Sequence, residues 1–280
     1  MNLSLELQNN LVSQIYNKAQ DIDVAILSYA SGEKEFFLDA MSLYQNTDGG
    51  FGHNLYIDNY NPNSSAVTSF YALILLDIFR IDSKEASLML NKVFTYLYHK
   101  ADVKDELFLS VPKDNDKYAH NSILDYKEEG SLPLTIGVLG LTFLLLDETK
   151  PYFKLALEKY NKIKNKISTF KFDSDNVITL AILISGLKKA NITFEYTIDS
   201  TLVDVRNIIL INEFISYDKD LLARALNTLI ASINKNGLWD HNINWGNNYP
   251  EVATAAIKWS FRTSVMNFYY LNKYKLVDSN

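Results

Sequence analysis

Four carboxylates lie in predicted loops or at predicted helix starts, where a side chain can reach a substrate. They are Asp58, Asp125, Asp175 and Glu251. Retaining or inverting sugar hydrolysis needs two carboxyl groups at a defined separation across a cavity. These four residues are the plausible suppliers of such a pair.

Two of the four histidines, His53 and His120, fall in predicted loops close in sequence to Asp58 and Asp125. A histidine beside a carboxylate suits general acid–base catalysis. If these loops share one end of the fold, the predicted catalytic residues are His53, Asp58 and His120, together with Asp175. The chain lacks cysteine and has no His-x-x-x-His spacing, so no metal site is predicted and no cofactor is assigned.

Aromatic and polar side chains are concentrated in the segment Trp239–Glu251, and Trp259 and Arg262 follow on a predicted helix. Aromatic rings beside polar groups are common where sugars or apolar ligands bind, and they also anchor loops. The predicted ligand-binding residues are Trp239, Trp245, Glu251, Trp259 and Arg262.

Helical patterns account for most of the chain. Some are apolar nearly all round, which is typical of helices buried on every side. These are Ala66–Phe79, Leu132–Leu146 and Val177–Leu187. Others, such as Lys84–His99 and Pro151–Ile167, are amphipathic. No alternating stretch is long enough to require a sheet, although Glu106–Val111 could form a short strand.

The buried helices recur at intervals of about 43 residues. A threonine stands at the equivalent place in four of them: Thr68, Thr135, Thr179 and Thr263. One step in the series falls at Leu221, within the helical run Asp220–Ile233, and one step back from Thr68 falls at Ala25. The excess before Thr135 is assigned to a long loop insertion near 101–130. The spacing predicts an all-α fold, an α/α toroid of about six helical hairpins, with residues 1–280 forming one domain.

The segment Tyr44–Gly52 reads Tyr-Gln-Asn-Thr-Asp-Gly-Gly-Phe-Gly, and Ser232–Trp239 is a weaker copy. Both resemble the Gln…Gly-x-aromatic repeat of the terpene cyclase and protein prenyltransferase superfamily, and the block Gln45–Leu76 is similar to uncharacterised bacterial proteins with this repeat. We interpret Gly49 and Gly50 as residues with positive φ, and Gln45 as a partner for the free backbone groups at a helix end.

A second resemblance lies at Asp173-Ser-Asp-Asn, which is similar to the Asp-x-Asp-Asp segment of class II terpene cyclases. The resemblance implies that Asp175 is the acid that protonates an alkene, although Asn176 stands where the family has a further aspartate. The alternative interpretation is that Asp175 caps the helix that follows. The family resemblance implies that the protein binds or transforms an apolar or isoprenoid small molecule in a central cavity. A non-catalytic binding or scaffold protein and a carbohydrate-active toroid are the alternatives, so whether the chain is an enzyme stays open.

The net charge of −6 and the isoelectric point near 5.3 argue against a nucleic-acid partner. The longest apolar run, Leu132–Leu146, is shorter than the roughly 18–20 residues that span a bilayer. Met1–Asn10 lacks the basic start of a secretory signal. We therefore expect a cytoplasmic protein with a small-molecule ligand and no transmembrane segment.

Overall fold

A computed structural model describes residues 2–241, 243–247 and 249–278, in which eleven α-helices and one two-stranded antiparallel sheet form. The helices are α1 Leu5–Lys18, α2 Asp21–Ala30, α3 Phe36–Ser42, α4 Ala66–Ile78, α5 Lys84–His99, α6 Leu132–Leu145, α7 Pro151–Thr169, α8 Val177–Lys189, α9 Ile208–Phe214, α10 Lys219–Ser232 and α11 Glu251–Lys273. The strands are β1 Val103–Lys104 and β2 Leu107–Phe108. The predicted all-α class is confirmed. None of the described helices is long and apolar enough to cross a membrane.

The apolar helices α4, α6 and α8 form the buried centre. A serine caps the start of two of them, since Ser65 Oγ accepts from the Thr68 N–H and Ser131 Oγ from the Leu134 N–H. Helices α6 and α8 approach closely at two glycines. A Cβ atom on Gly186 would lie 2.4 Å from the carbonyl oxygen of Gly140. Larger residues at this crossing would force the helices apart.

Consecutive buried helices are neighbours in space. Helix α4 packs on α6, α6 on α8, and α8 on the short α9, while α11 packs on α2. Side chains make the remaining links. Lys273 of α11 pairs with Glu213 of α9 at 2.7 Å, and the Tyr29 hydroxyl of α2 donates to the carbonyl oxygen of Arg80, just after α4, at 3.2 Å.

The amphipathic helices α5 and α7 match the predicted segments closely and pack against one another through their apolar faces. The Tyr152 ring of α7 stacks on Phe94 of α5, and the hydroxyls of Tyr152 and Thr95 are 2.6 Å apart. The predicted loop insertion contains the β1–β2 hairpin, with β2 inside the segment expected to form a short strand.

Two details of the predicted repeat are wrong. The fifth buried helix is α9, whereas α10, which occupies the predicted run around Leu221, is amphipathic and buries only one face. Thr263 is not equivalent to Thr68, Thr135 and Thr179, which lie in the first turn of their helices, because α11 already starts at Glu251. Because α10 is apolar on one face alone, its polar face stays at the surface and the helix is not buried on every side.

The two loops with the Gly-x-aromatic pattern have the same conformation. Gly49 and Gly237 both have positive φ, 97° and 78°. A backbone bond closes each turn, from the Asn46 N–H to the Gly50 oxygen at 2.8 Å and from the Asn234 N–H to the Leu238 oxygen at 2.9 Å. The predicted positive φ is therefore correct for Gly49 and wrong for Gly50.

Gly50 is required for space instead, because its Cβ would lie 2.6 Å from the Cβ of Ser64. Gln45 does not satisfy free groups at the end of its own helix. Its side-chain amide donates to the carbonyl oxygens of Gly49 and Met89, at 3.0 and 3.1 Å, and so ties the loop to α5.

Candidate functional site

A cavity of about 420 Å³ lies among α4, α8, α9 and α11. Most of its wall is hydrocarbon. The wall includes Phe70, Ile74, Ile178, Leu210, Trp259 and Met266. We call this space the apolar cavity. Its volume falls within the roughly 300–1,000 Å³ range of small-molecule sites.

Helix α11 contributes a row of side chains to this wall. Arg262, Met266 and Tyr270 are spaced four residues apart and line the cavity together, as residues on one face of a helix do. Helix α4 can line the opposite wall because it is apolar nearly all round and needs no solvent-facing side.

A second cavity, of about 500 Å³, adjoins the first. The two share Tyr56, Val67 and Phe70 as lining residues. The lining of the second cavity includes four carboxylates and one lysine: Asp125, Glu129, Asp173, Asp175 and Lys127. We call it the acidic cavity. The excess of carboxylates makes its potential negative.

Asp175 lies on the wall of the acidic cavity and is exposed. It does not cap helix α8. Asn176 holds the N-cap position of α8, and its side chain makes no capping hydrogen bond. The carboxylate of Asp173 closes the turn before the helix, accepting from the backbone N–H groups of Asp175 and Asn176 at 2.9 and 3.0 Å. The Asp175 carboxylate makes no hydrogen bond to the residues that the structure describes, so it is free to meet a ligand.

Asp58 fixes three segments relative to one another. Its Oδ1 accepts from the indole Nε1 of Trp245 at 2.9 Å and of Trp259 at 2.7 Å, and its Oδ2 accepts from the Asn121 side-chain amide at 3.3 Å. This predicted catalytic carboxylate is thus occupied as an acceptor. Because Trp259 lines the apolar cavity, Asp58 positions part of the cavity wall.

His120 lies beside Asp125, as the sequence pairing suggested, and only 2% of it is exposed. Its Nδ1 is 2.7 Å from the carbonyl oxygen of Tyr118, so Nδ1 carries a proton. Its Nε2 lies 2.9 Å from Asp125 Oδ1 and 3.8 Å from Asp116 Oδ1. The Nε2 atom therefore faces two carboxylates at the edge of the protein.

The cluster of Asp116, His120 and Asp125 offers three ligand atoms within 4.8 Å of one another and could hold a metal ion. No metal site was predicted because the chain has neither cysteine nor a His-x-x-x-His spacing. The three residues lie within ten positions of one another, but Tyr118 is extended, so the chain from Asp116 to His120 is not a regular helix.

His53 does not join this group. It is exposed in the Gly49 loop, has a φ of 53°, and its Nε2 lies 2.8 Å from Asn46 Oδ1. His241 lies closer to the cavities, because its ring stacks on Trp259 with centroids 5.5 Å apart. Burial lowers the pKa of His241, and the charge of Asp58 partly opposes this.

The predicted ligand-binding residues fall into two groups. Trp259 and Arg262 line the apolar cavity. Trp239 and Trp245 are enclosed in the protein, and Trp239 donates from Nε1 to the Leu229 oxygen at 2.9 Å. Glu251 is the first residue of α11, where a negative charge is stabilised by the helix dipole. The last three residues are among the lining of neither cavity.

A buried ion pair forms the base of the site. Arg262 donates from Nε to Asp23 on α2, and from Nη1 to the Tyr71 hydroxyl at 3.0 Å. Burial is the largest influence and would lower the pKa of Arg262, but the Asp23 carboxylate and the Tyr71 hydroxyl together outweigh it and raise that pKa. Arg262 therefore stays charged inside the protein. Burial raises the pKa of Asp23, and the charge of Arg262 opposes this.

Comparison with known proteins adds no relative. No family model matches the sequence, and the searches of curated proteins and of solved structures returned no match.

Proposed function

We propose that this protein binds a neutral, apolar small molecule of the isoprenoid class in the apolar cavity. The observation that carries the proposal is the pairing of the two cavities. A ligand-sized space with a hydrocarbon wall adjoins a second space, lined in part by carboxylates, through Tyr56, Val67 and Phe70. An apolar ligand gains roughly 25 cal/mol for each Å² of apolar surface that it removes from water.

We also propose that the helices form the α/α toroid suggested by the repeat. The contacts support a ring in the order α2, α4, α6, α8, α9, α11 and back to α2. The identical turns at Gly49 and Gly237 support a common repeat unit. In such a ring the apolar cavity is the central space.

The acidic cavity narrows the class of ligand. A diphosphate or other anion approaching through it would be repelled by Asp125, Glu129, Asp173 and Asp175. A neutral molecule meets no such barrier. Asp175, the acid that the family resemblance implies, lines the acidic cavity and is not among the residues that line the apolar cavity, so we propose binding and no proton transfer to the ligand.

One observation favours the carbohydrate alternative. Asp125 and Asp175 line the same polar cavity, and sugar hydrolysis needs two carboxyl groups across a cleft. A scaffold role finds less support, because a purely structural core is normally filled by side chains.

Binding of farnesol and of its hydrocarbon counterpart farnesene, measured by displacement of Nile red from the full chain, tests the main proposal. Met266→Trp should fill the apolar cavity and weaken binding by roughly ten-fold or more. Ile257→Trp adds the same bulk at an exposed position of α11 and should leave binding unchanged. If neither compound binds, the proposal fails, and hydrolysis of oligosaccharides that is lost in Asp125→Asn and Asp175→Asn would favour the alternative.

A further inference from the structure

Two polar groups in the wall of the apolar cavity lack partners. Arg262 and Tyr270 line the cavity and are only 1% and 5% exposed. Arg262 Nη2 and the Tyr270 hydroxyl make no hydrogen bond to any residue of the described ranges. Buried polar groups are nearly always paired, so two unpaired ones on a single cavity point to a group that is supplied from outside the chain.

The chemistry of Arg262 defines what that group must be. Its Nε is bonded to Asp23, and its Nη1 to the Tyr71 hydroxyl and the Leu55 oxygen. The remaining atom, Nη2, can only donate, whereas the Tyr270 hydroxyl can donate or accept. An oxygen acceptor on the ligand suits both groups.

Charge decides between a carboxylate and a neutral oxygen. Asp23, which is fully buried, already balances Arg262. A second carboxylate would leave one excess negative charge in an apolar surrounding, which is costly. An uncharged oxygen adds hydrogen bonds without that cost.

We propose that the ligand carries a hydroxyl or carbonyl oxygen, and that Arg262 and Tyr270 bind it inside the apolar cavity. This inference rests on the proposed function and narrows it to oxygenated isoprenoids. Binding of the oxygen also pairs the two groups that lack partners in the free protein, so the site selects against a pure hydrocarbon.

The test is the ratio of the Kd values of farnesene and farnesol for the full chain and for Tyr270→Phe. The variant should weaken farnesol binding several-fold, since one hydrogen bond is lost, and leave farnesene binding unchanged. Its Tm without ligand should be no lower than that of the parent, because the hydroxyl lacks a protein partner. Arg262→Lys keeps the charge beside Asp23, removes Nη2 and should reduce the same ratio.

Tyr98→Phe is the matched control, because the Tyr98 hydroxyl lies 2.9 Å from the Thr142 hydroxyl. It should lower the Tm and leave the ratio of Kd values unchanged. If both compounds bind and neither Tyr270→Phe nor Arg262→Lys changes the ratio, the inference is wrong while the proposed function stands. A lower Tm for free Tyr270→Phe would also contradict it. If neither compound binds the parent protein, both proposals fail.

Discussion

The backbone N–H of Trp239 donates to the hydroxyl of Ser264, buried on α11, at 2.9 Å. The same bond joins Phe51 to Ser69 of α4 at 3.0 Å. In both places the aromatic residue follows a glycine turn, enters the core, and would leave its N–H unpaired without the serine. The two loops therefore share a hydrogen bond from loop to helix as well as a glycine turn.

Replacing either serine should destabilise the protein. Ser69→Ala and Ser264→Ala each leave a buried N–H group without a partner, at a cost of about 1–3 kcal/mol. Urea unfolding measures the change in free energy. Ser87→Ala, at an exposed position of α5, is the control and should change stability by less than about 0.5 kcal/mol. If all three substitutions lower the free energy of unfolding equally, the two buried hydrogen bonds contribute no more to stability than the exposed serine does.

Gly50→Val should destabilise the protein by about 1–3 kcal/mol through overpacking. The cause is steric, because a Cβ atom would meet Ser64 and a ring carbon of Tyr96 at 2.6–2.7 Å. Leu238→Val is the control, since Leu238 holds the equivalent place in the other loop and already has a side chain there. An unchanged Tm for Gly50→Val would show that Ser64 and Tyr96 can move aside.

The two aspartates before α8 should behave differently. Asp173→Ala removes the carboxylate that accepts from two backbone N–H groups and should cost about 0.5–2 kcal/mol. Asp175→Ala removes an exposed carboxylate without such bonds and should change stability by less than about 0.5 kcal/mol. Thermal unfolding of both variants measures the two changes in stability. A larger loss of stability for Asp175→Ala than for Asp173→Ala would show that the Asp175 carboxylate, and not that of Asp173, stabilises the start of α8.

Asp58→Ala should loosen two tryptophans at once. Hydrogen bonds to a charged group contribute about 1.5–3 kcal/mol each, and here one carboxylate oxygen accepts from both Trp245 and Trp259. We expect a lower free energy of unfolding and a red-shifted tryptophan emission. Asp82→Ala, at an exposed carboxylate, should change neither quantity. An unaltered emission spectrum in Asp58→Ala would mean that the indoles do not depend on Asp58.

We expect His241 to make the protein less stable as the pH falls. Because burial lowers its pKa in the folded state below the ordinary value of 6.5, the unfolded chain binds the proton first as the pH falls. The contribution of His241 to stability is complete above about pH 6.5 and is lost as the pH drops through the folded-state pKa. The free energy of unfolding, measured with urea between about pH 8 and pH 5, should change less with pH for His241→Phe than for the parent. A control, His53→Gln, changes an exposed histidine; if it flattens the slope equally, the assignment to His241 is wrong.

The long helices were predictable because their apolar residues follow a clear period. Helices α4 and α6 are apolar on every side, and α5 and α7 on one side, and each carries its signal over three or more turns. Helix α9 spans only Ile208–Phe214, which is too short to show a period. The regular spacing therefore pointed to the longer α10 beside it.

The sequence placed Asp58 and His120 in loops that could meet, and the structure brings these loops together. Trp245 joins them, because its indole donates to Asp58 and its carbonyl oxygen accepts from the Ser122 N–H. The hydrogen-bond partner of each side chain could not be predicted from the sequence. Asp173 and Asp175 differ by two positions and have the same chemistry, so only the geometry of the turn decides which of them accepts the backbone N–H groups before α8. The unpaired groups of Arg262 and Tyr270 depend on contacts among helices that are distant in sequence.

The ion pair of Asp23 and Arg262 joins residues that are 239 positions apart. A ribosome produces α2 long before α11. The Asp23 carboxylate therefore has no Arg262 to pair with until nearly the whole chain has been synthesised. Until then, burying α2 would isolate a negative charge in the core, which is unfavourable. Closing so long a loop is also slow compared with local helix formation. Early helices of the nascent chain should therefore remain loosely packed and accessible to chaperones or proteases, and consolidate together once α11 has emerged.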